Sequence, residues 1–169
     1  MDWGGAEVLR VQRLDGRCHD RADFDCGEVS LNVYLRELAA QHLRAGVATT
    51  HVLIDDVAPA RVLGYYTLAA AQMSLQAMQP ADQRRLPRYP VPVARLARLA
   101  VALAEQGRGL GESLLQDAVS RCLQLRGELG IHALVVDALH DRAAAFYRLY
   151  GFHESLPNAR TLYLPLGKS

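Results

Sequence analysis

The sequence predicts an α/β protein, because strand-like and helix-like patterns alternate along the chain. In the first half, two neighbouring β-rich segments flank a polar, proline-containing stretch, which is typical of a hairpin. The second half alternates strand, helix, strand and helix. A chain of 169 residues is long enough for one domain with its own core, and no repeat or linker divides it. We therefore predict a single domain over residues 1–169.

The elements of the first half follow from hydrophobic period and from capping residues. Apolar residues at helical spacing over 31–44 predict an amphipathic helix, with Ser30 as its N-cap and Gly46 at its end. The strands predicted in this half are a weak one at 6–13 and the hairpin pair at 50–55 and 62–70.

The second half begins with a proline-rich segment, 79–92, which predicts an irregular loop. Asp141 is predicted to cap a helix that Gly151 closes, with His140 exposed before it. Pro165 places the last strand at an edge of the sheet, since proline cannot donate to a central ladder. The predicted elements are a central strand at 93–101, a helix at 110–125, a strand at 131–136, a helix at 142–150 and a strand at 161–166.

Composition argues against several classes of protein. No apolar run reaches the roughly 18–20 residues that span a membrane. The N-terminus lacks the basic start and apolar stretch of a signal peptide, so we expect a cytoplasmic protein. Cys18, Cys26 and Cys122 are odd in number and form no Cys-x-x-Cys pair. The histidines lack the His-x-x-x-His spacing of a helical metal site, so no metal is expected.

The basic residues are unevenly distributed, although the net charge is only +1. Lys168 is the only lysine, and no acid lies between Asp82 and Glu105. This pattern predicts a local positive patch in a nearly neutral protein. The alternative is that these arginines are ordinary solubilising surface residues. The arginines concerned are Arg84, Arg85, Arg88, Arg95 and Arg98.

A glycine-rich segment joins the predicted central strand to the helix at 110–125. Gly107, Gly109 and Gly111 lack a Cβ, so phosphate oxygens can approach their backbone closely. The following helix adds unpaired N–H groups and the positive end of its dipole. Together they predict a pyrophosphate-binding nest, to which Arg108 adds charge. The spacing matches neither a Walker A loop nor a dinucleotide fingerprint, and the alternative is a flexible glycine connector.

Residues Gln106–Gly111 match in full the Gln/Arg-x-x-Gly-x-Gly/Ala signature of the GNAT acetyltransferase superfamily, which this sequence resembles. The resemblance implies a mixed, mostly antiparallel central sheet with helices on both faces. It also implies acetyl-CoA as co-substrate, with the loop on the pyrophosphate and the preceding strand paired to the pantetheine arm. The residues so assigned are Leu99, Ala100, Val101, Gln106, Gly107, Arg108, Gly109, Leu110, Gly111 and Tyr147.

Four segments resemble one branch of that superfamily, the acetyltransferase toxins of bacterial toxin–antitoxin pairs. They are residues 24–35, Arg98–Val101, Ala145–Phe152 and Thr161–Leu164. One departure is Ala102, where the branch usually has an aspartate. The branch implies an aminoacyl-tRNA acceptor, a ribbon-helix-helix antitoxin as partner, and a homodimer.

The segment around Tyr147 resembles the Phe-Tyr-x-x-x-Gly-Phe motif of the branch, whose tyrosine points at the coenzyme A sulfur. Tyr147 is therefore our candidate general acid for the leaving thiolate, because a phenol is protonated at pH 7. Tyr150 is a competing candidate, and a core aromatic without a catalytic role is the other alternative. A backbone N–H near Val101 or Ala102 is expected to polarise the acetyl carbonyl.

A tRNA acceptor needs cations against its phosphates. Arg98 matches an arginine of the toxin branch, and Arg84, Arg85 and Arg88 are assigned with it to tRNA binding. Arg95 differs from Arg98 by an odd number of residues, so on a strand it faces the other way. The predicted function is acetylation of the α-amine of aminoacyl-tRNA by a translation-blocking toxin. The alternatives are an acetyltransferase for a small-molecule, peptide or protein amine, and a non-catalytic module that senses coenzyme A or binds protein.

Overall fold

Seven β-strands and five α-helices form within residues 8–167, the part of the chain that the computed structural model describes. A π-helical turn, Tyr34–Leu38, joins the first two helices. The helices are α1 (Val29–Val33), α2 (Ala39–Ala45), α3 (Pro80–Gln83), α4 (Leu110–Arg126) and α5 (Asp141–Leu149). The strands are β1 (Leu9–Arg13), β2 (Thr49–Asp55), β3 (Gly64–Met73), β4 (Val91–Val101), β5 (Ala133–Asp137), β6 (His153–Glu154) and β7 (Thr161–Pro165).

The strands form one sheet in the order β1-β2-β3-β4-β5-β7-β6. β1 with β2, β2 with β3, β5 with β7 and β6 with β7 pair antiparallel, and β4 with β5 pairs parallel. The predicted α/β class and mostly antiparallel sheet are therefore confirmed. The described chain divides into two compact units. The first holds residues up to Leu68 together with Arg98–Ala118, and the second holds Ala69–Ala97 and the residues from Val119 onward.

In the first unit, α1, the π turn and α2 cover one face of the sheet and α4 covers the other. Leu31 and Leu35 share a core with Tyr65 of β3, whose hydroxyl donates to the Leu31 carbonyl at 2.7 Å. The next residue of β3, Tyr66, points to the opposite face, because side chains alternate along a strand. Its hydroxyl donates to the carboxylate of Asp117 on α4. Helices therefore lie on both faces of this part of the sheet, as predicted.

Gly64 begins β3 at a point where β4 and α4 approach it closely. A Cβ added at Gly64 would lie 2.8 Å from the Ala100 carbonyl oxygen and 2.9 Å from Cδ1 of Leu114. We expect Gly64→Ala to lower the free energy of unfolding by about 1–3 kcal/mol, the usual cost of overpacking. Urea unfolding measures this loss. Gly130→Ala is the control, since nothing lies within 4 Å of a Cβ built there. Equal stabilities for the two variants would contradict the close packing.

In the second unit, β4 pairs with β5 from Val93↔Ala133 to Leu96↔Val136. α5 packs against β7. A second hydrophobic core joins Met78 and Val93 to Tyr163 of β7. This core anchors the chain that leads from β3 towards the proline-rich segment.

Two predicted helix caps are wrong. α1 begins at Val29 with Glu28 as its N-cap, so Ser30 already lies inside the helix. α5 is capped by His140, whose Nδ1 accepts the Ala143 N–H at 3.1 Å, and Asp141 is its first residue. The extended backbone at His140 lets the imidazole reach the third helical residue, as an N-cap side chain does. Gly46 closes α2 with a φ of 73°, as predicted.

The predicted edge position of the last strand is also wrong. β7 lies between β5 and β6, because the short β6 pairs with Leu162 and Tyr163. Pro165 lies beyond this pairing, opposite Ala133 of β5, so its missing N–H does not interrupt the β6 ladder. The proline-rich segment 79–92 contains the short helix α3 as well as irregular chain. Residues 6 and 7 of the predicted first strand lie outside the described residues.

Candidate functional site

The loop between β4 and α4 has the backbone geometry of an anion-binding turn. Gly107 and Gly109 have φ values of 84° and 76°, and nothing lies within 4 Å of a Cβ built at either residue. Ser113 N–H donates to the Gly109 carbonyl at 3.1 Å, so the N–H groups of Leu110–Glu112 precede the hydrogen-bonded ladder of α4. Left-handed glycines beside a helix N-terminus aim such N–H groups at one point. The loop therefore fits a pyrophosphate.

The side chain of Gln106 fixes this loop to two neighbouring segments of the chain. Its Nε2 donates to the carbonyl oxygens of Cys26, at 3.1 Å, and Val101, at 3.0 Å. Both partners are acceptors, which fixes the amide with its NH₂ group towards them. Gln106 thereby ties the loop to the end of β4 and to the chain before α1. Leu103 N–H adds a third link, to the Asp25 carbonyl at 2.8 Å.

A buried carboxylate lies directly before the loop. Glu105 is 8% exposed and forms ion pairs with Arg108 and, at 2.9 Å, with Arg61 from the turn between β2 and β3. Burial of a carboxylate is tolerable only with such partners. Because Arg108 is paired with Glu105, part of the positive charge predicted for the pyrophosphate is already neutralised.

One of the two predicted carbonyl-polarising groups is engaged in the fold. The Ala102 N–H donates to the Leu63 carbonyl at 2.9 Å, so it is not available to a thioester oxygen. Val101 remains the predicted donor for this role. Ala102 itself is buried, in the core that contains Phe24 and Tyr65.

Arg98 is held on an aromatic surface in the first unit. Its guanidinium carbon lies 3.5 Å from the centroid of the Tyr34 ring, a cation–π geometry. Tyr34 is 1% exposed, and its hydroxyl is 3.0 Å from Nδ1 of His42. The position of the Arg98 charge is therefore set by a rigid buried ring. Arg95 has a different partner, Asp137 of β5.

Tyr147 belongs to the second unit, on α5. It is 6% exposed, and its ring makes edge contacts with Phe146 at 5.2 Å and Phe152 at 5.3 Å. Burial raises the pKa of the Tyr147 phenol. Within residues 8–167, no side chain or backbone group hydrogen-bonds to its hydroxyl. Tyr150 contacts Phe146 at 5.0 Å and lies at the C-terminal end of the helix.

Residues 84–88, which we call the arginine segment, also belong to the second unit. Arg84, Arg85 and Arg88 are exposed, and none of them has an acidic partner in the described part of the chain. Three guanidinium groups within five residues, none of them paired with an acid in residues 8–167, create a positive surface. Of the five arginines predicted to form a positive patch, these three are exposed on this unit, whereas Arg95 is paired with Asp137 and Arg98 belongs to the first unit.

The start of the arginine segment is fixed to the β6–β7 hairpin. Asp82 of α3 accepts a hydrogen bond from the Tyr163 hydroxyl, and Nδ1 of His153 lies 2.8 Å from the same carboxylate. Gln79 N–H donates to the Tyr163 hydroxyl at 2.7 Å, and its side chain donates to the Glu154 carbonyl at 2.9 Å. This network fixes the chain just before Arg84 to the β6–β7 hairpin, and the arginines follow it as exposed residues.

The strand, glycine loop and helix suggest a family, and comparison with known proteins decides it. The acetyltransferase (GNAT) domain family matches residues 48–154, which include this loop. The chain belongs to the GNAT acetyltransferase family. The superfamily predicted from Gln106–Gly111 is thereby confirmed.

Several proteins similar to this chain are described as toxins. A protein of Mycobacterium tuberculosis (strain ATCC 25618 / H37Rv) described as a tRNA-acetylating toxin is 44% identical over 137 residues, 80% of this chain and 80% of that protein. AtaT complexed with acetyl-methionyl-tRNAfMet is 30% identical with a TM-score of 0.88, covering 94% of this chain and 95% of that chain. A tyrosine-to-phenylalanine mutant of AtaT, bound to the C-terminus of the antitoxin AtaR and acetyl-CoA, is 29% identical with a TM-score of 0.80, covering 94% and 93%. These similarities confirm the predicted GNAT fold and the toxin branch.

Within residues 8–167, no group of three or more His, Cys, Asp or Glu side chains is arranged to hold a metal ion. Among the helices of the described chain, none has the length and hydrophobicity needed to cross a bilayer.

Several supporting residues escaped the sequence analysis. Glu105 carried a usable signal, because an acid three residues before Arg108 is a common ion-pair spacing. Nothing in the sequence around Arg61 or Cys26 indicates their roles, because their partners, Glu105 and Gln106, lie far away in the chain. Tyr34 was assigned only to the helix, and its role under Arg98 depends on the tertiary fold.

Gln106→Ala tests whether the side chain positions the loop. We expect the KM for acetyl-CoA to rise about tenfold, because two hydrogen bonds that hold the loop are lost, while kcat at saturation stays within about twofold. Steady-state kinetics measure both constants. Gln116→Ala is the matched control, because within the described chain the exposed Gln116 side chain hydrogen-bonds to Glu112 of the same helix and to no other residue. An unchanged KM in Gln106→Ala would exclude the positioning role.

Proposed function

We propose that this chain is an acetyl-CoA-dependent N-acetyltransferase, which acetylates the α-amine of aminoacyl-tRNA and blocks translation as the toxin of a toxin–antitoxin pair. The observation that carries the proposal is the left-handed glycine loop before α4, in a chain 44% identical to a tRNA-acetylating toxin. A solved relative bound to acetyl-methionyl-tRNAfMet supports the same acceptor class.

The donor site is assigned to the loop and to the end of β4. Open space at Gly107 and Gly109 and the free N–H groups of the first turn of α4 suit the pyrophosphate of acetyl-CoA. The pairing of β4 with β5 ends at Leu96↔Val136, so Leu99–Val101 lie beyond the part of β4 that pairs with β5. That stretch of backbone suits the amide-containing pantetheine arm. The AtaT complex that contains acetyl-CoA supports this co-substrate.

Acetyl transfer forms a C–N bond and breaks a C–S bond. The amine nitrogen attacks the thioester carbonyl carbon, the amine loses a proton, and the leaving thiolate needs one. A free α-amine has a pKa of roughly 8, and the neighbouring ester lowers it, so a neutral amine is present near pH 7 without a strong base. The protein's main chemical task is then to protonate sulfur.

Tyr147 is assigned this task as general acid. Burial raises its pKa, so the phenol stays protonated at neutral and mildly alkaline pH, where the acceptor amine is already neutral. Its hydroxyl has no partner within residues 8–167, so the proton is available to a ligand. A tyrosine-to-phenylalanine mutant of AtaT has been solved with acetyl-CoA, and a functional tyrosine in that relative is consistent with this assignment.

The acceptor site is assigned to arginines. Arg98 offers one charge held rigidly on Tyr34, and Arg84, Arg85 and Arg88 offer three unpaired charges on an anchored segment. Guanidinium groups bind phosphate oxygens with two parallel N–H donors, which suits an RNA backbone. A small amine carries no row of phosphates, so binding it would not require four guanidinium groups.

The remaining assignments concern assembly and location. The antitoxin is proposed to be a ribbon-helix-helix protein, and the toxin a cytoplasmic homodimer. The AtaT structure with the C-terminus of its antitoxin supports a protein partner. We further propose that residues 1–169 act as one acetyltransferase domain, because β3 and β4 each run through both compact units.

The decisive experiment incubates the protein with charged total tRNA and labelled acetyl-CoA. We expect label on the amino acid released from tRNA, and none on deacylated tRNA. Free amino acids and a lysine peptide serve as competing acceptors. Label on these acceptors and none on aminoacyl-tRNA would overturn the proposal in favour of a small-molecule, peptide or protein acceptor.

A further inference from the structure

A cleft of about 350 Å³ lies beside the arginine segment and is not used by the proposed chemistry. Its walls come from the proline-rich chain before β4, from the end of α4 and from the chain entering β5, all in the second unit. The residues that matter for its chemistry are Pro87, Tyr89, Pro90, Pro92, Arg126 and His132.

Tyr89 gives the cleft an exposed aromatic face. It is 72% exposed, whereas Tyr65, Tyr66 and Tyr163 are completely buried. Pro87 and Pro90 restrict the backbone around Tyr89, which lowers the conformational entropy that this segment loses when the ring binds a partner. Such a ring is suited to stacking against a flat partner.

The positive charge around the cleft indicates which kind of planar ligand would bind there. Among residues 8–167, no acidic residue lines it, and Arg126 contributes a guanidinium whose Nη1 donates to the Leu166 carbonyl at 3.4 Å. Arg88 lies one residue before Tyr89 and has no acidic partner within residues 8–167. An aromatic face interleaved with unpaired arginines is the pattern by which proteins bind single-stranded nucleic acid.

His132 adds a polar group to the same wall. Burial and the neighbouring Arg126 lower the pKa of the His132 imidazole, so the ring is neutral at pH 7. A neutral imidazole both donates and accepts a hydrogen bond, which matches the edge of a nucleobase.

We propose that this cleft binds one unpaired nucleotide of the RNA acceptor, with its base stacked on Tyr89 and its phosphate near Arg88 and Arg126. Inside a duplex, a paired base has both faces covered by its neighbours, so an unpaired nucleotide is needed to insert a base into the cleft. In a tRNA, the strand that must reach an acetylation site is the single-stranded 3′ end that carries the amino acid. This inference rests on the proposed aminoacyl-tRNA function and adds which part of the RNA is recognised.

The test compares two RNA hairpins of identical stem, one with a single-stranded 3′ extension and one blunt. Fluorescence anisotropy at fixed salt measures their affinities for the wild type, Tyr89→Ala and Tyr89→Phe. We expect Tyr89→Ala to weaken binding of the extended hairpin about tenfold, the scale of one lost stacking interaction, and to leave the blunt hairpin unchanged. Tyr89→Phe keeps the ring and is expected to bind like the wild type. Unchanged acetyl-CoA binding verifies that each variant is folded.

Two outcomes overturn the cleft assignment. One is a wild type that binds both hairpins equally well, and the other is a Tyr89→Ala variant that loses no affinity or loses it equally for both. Failure of the acetylation assay with charged tRNA is a separate result. If the wild type still prefers the extended hairpin through Tyr89, the nucleotide site stands and the proposed reaction does not.

Discussion

Tyr147→Phe is expected to reduce kcat for acetyl transfer by about 10²- to 10⁴-fold, the usual contribution of a general acid. The substitution removes the one hydroxyl proposed to protonate the leaving thiolate. It keeps the ring that contacts Phe146 and Phe152, so the packing around α5 is preserved. Since the hydroxyl makes no hydrogen bond within residues 8–167, its removal leaves no protein group unsatisfied.

Single-turnover assays with charged tRNA measure this effect, and calorimetry measures acetyl-CoA affinity in parallel. The affinity should stay within about twofold of the wild type, since the hydroxyl acts in the transition state rather than in donor binding. Tyr150→Phe is the matched control and is expected to keep its rate. If Tyr147→Phe transfers acetyl groups at the wild-type rate, Tyr147 is not the general acid. If Tyr150→Phe is the slow variant, Tyr150 is the general acid instead.

The pH profile offers an independent check on the same residue. The rate should rise as the acceptor amine loses its proton and then remain level to at least pH 9. Burial raises the pKa of Tyr147, so its proton is lost only above the ordinary phenol range near 10. A fall in rate between pH 7 and 9 would indicate an acid other than Tyr147.

Replacing Arg84, Arg85 and Arg88 together by glutamine is expected to flatten the salt dependence of tRNA binding. Three lost phosphate contacts should reduce the slope of log affinity against log salt by about 2 to 3. Between 50 and 200 mM salt, the affinity of the variant should therefore fall about 15- to 65-fold less than the affinity of the wild type. Filter binding at several salt concentrations gives the slope directly.

A matched control separates local contacts from total charge. Replacing Arg13, Arg36 and Arg44 by glutamine removes the same three charges from exposed positions of the first unit. This control should keep a slope close to that of the wild type. Equal slopes for the two triple variants would mean that only net charge matters, and would withdraw the arginine segment from the binding site.

The parts of the fold that could be predicted are those governed by local pattern. α4 was predicted at 110–125 and runs from Leu110 to Arg126, because apolar residues keep a helical period throughout. Gly46 closes its helix as predicted, because the left-handed conformation there suits glycine. The donor loop was predictable for the same reason, as its glycines and the helix after it are adjacent in sequence.

The parts that could not be predicted depend on distant or competing partners. His140 and Asp141 are both good caps, and only the backbone angle at His140 decides between them. β6 has two residues, too few for any alternation, and it displaces β7 from the edge. The Ala102 N–H is taken by Leu63, a residue of another strand–loop segment. The sequence shows each donor and acceptor, and the fold decides which ones meet.

The construction of the glycine loop also limits what it can discriminate. Gly107 and Gly109 project no side chain, and Arg108 is turned to Glu105, so the loop presents chiefly backbone amides to its ligand. A pyrophosphate is common to every thioester of coenzyme A, whatever the length of the acyl chain. In the proposed donor site, residues 106–111 would therefore recognise coenzyme A itself and would not distinguish between acyl groups. Preference for acetyl over longer acyl groups must arise from side chains outside this loop, and those positions are where acyl specificity would change.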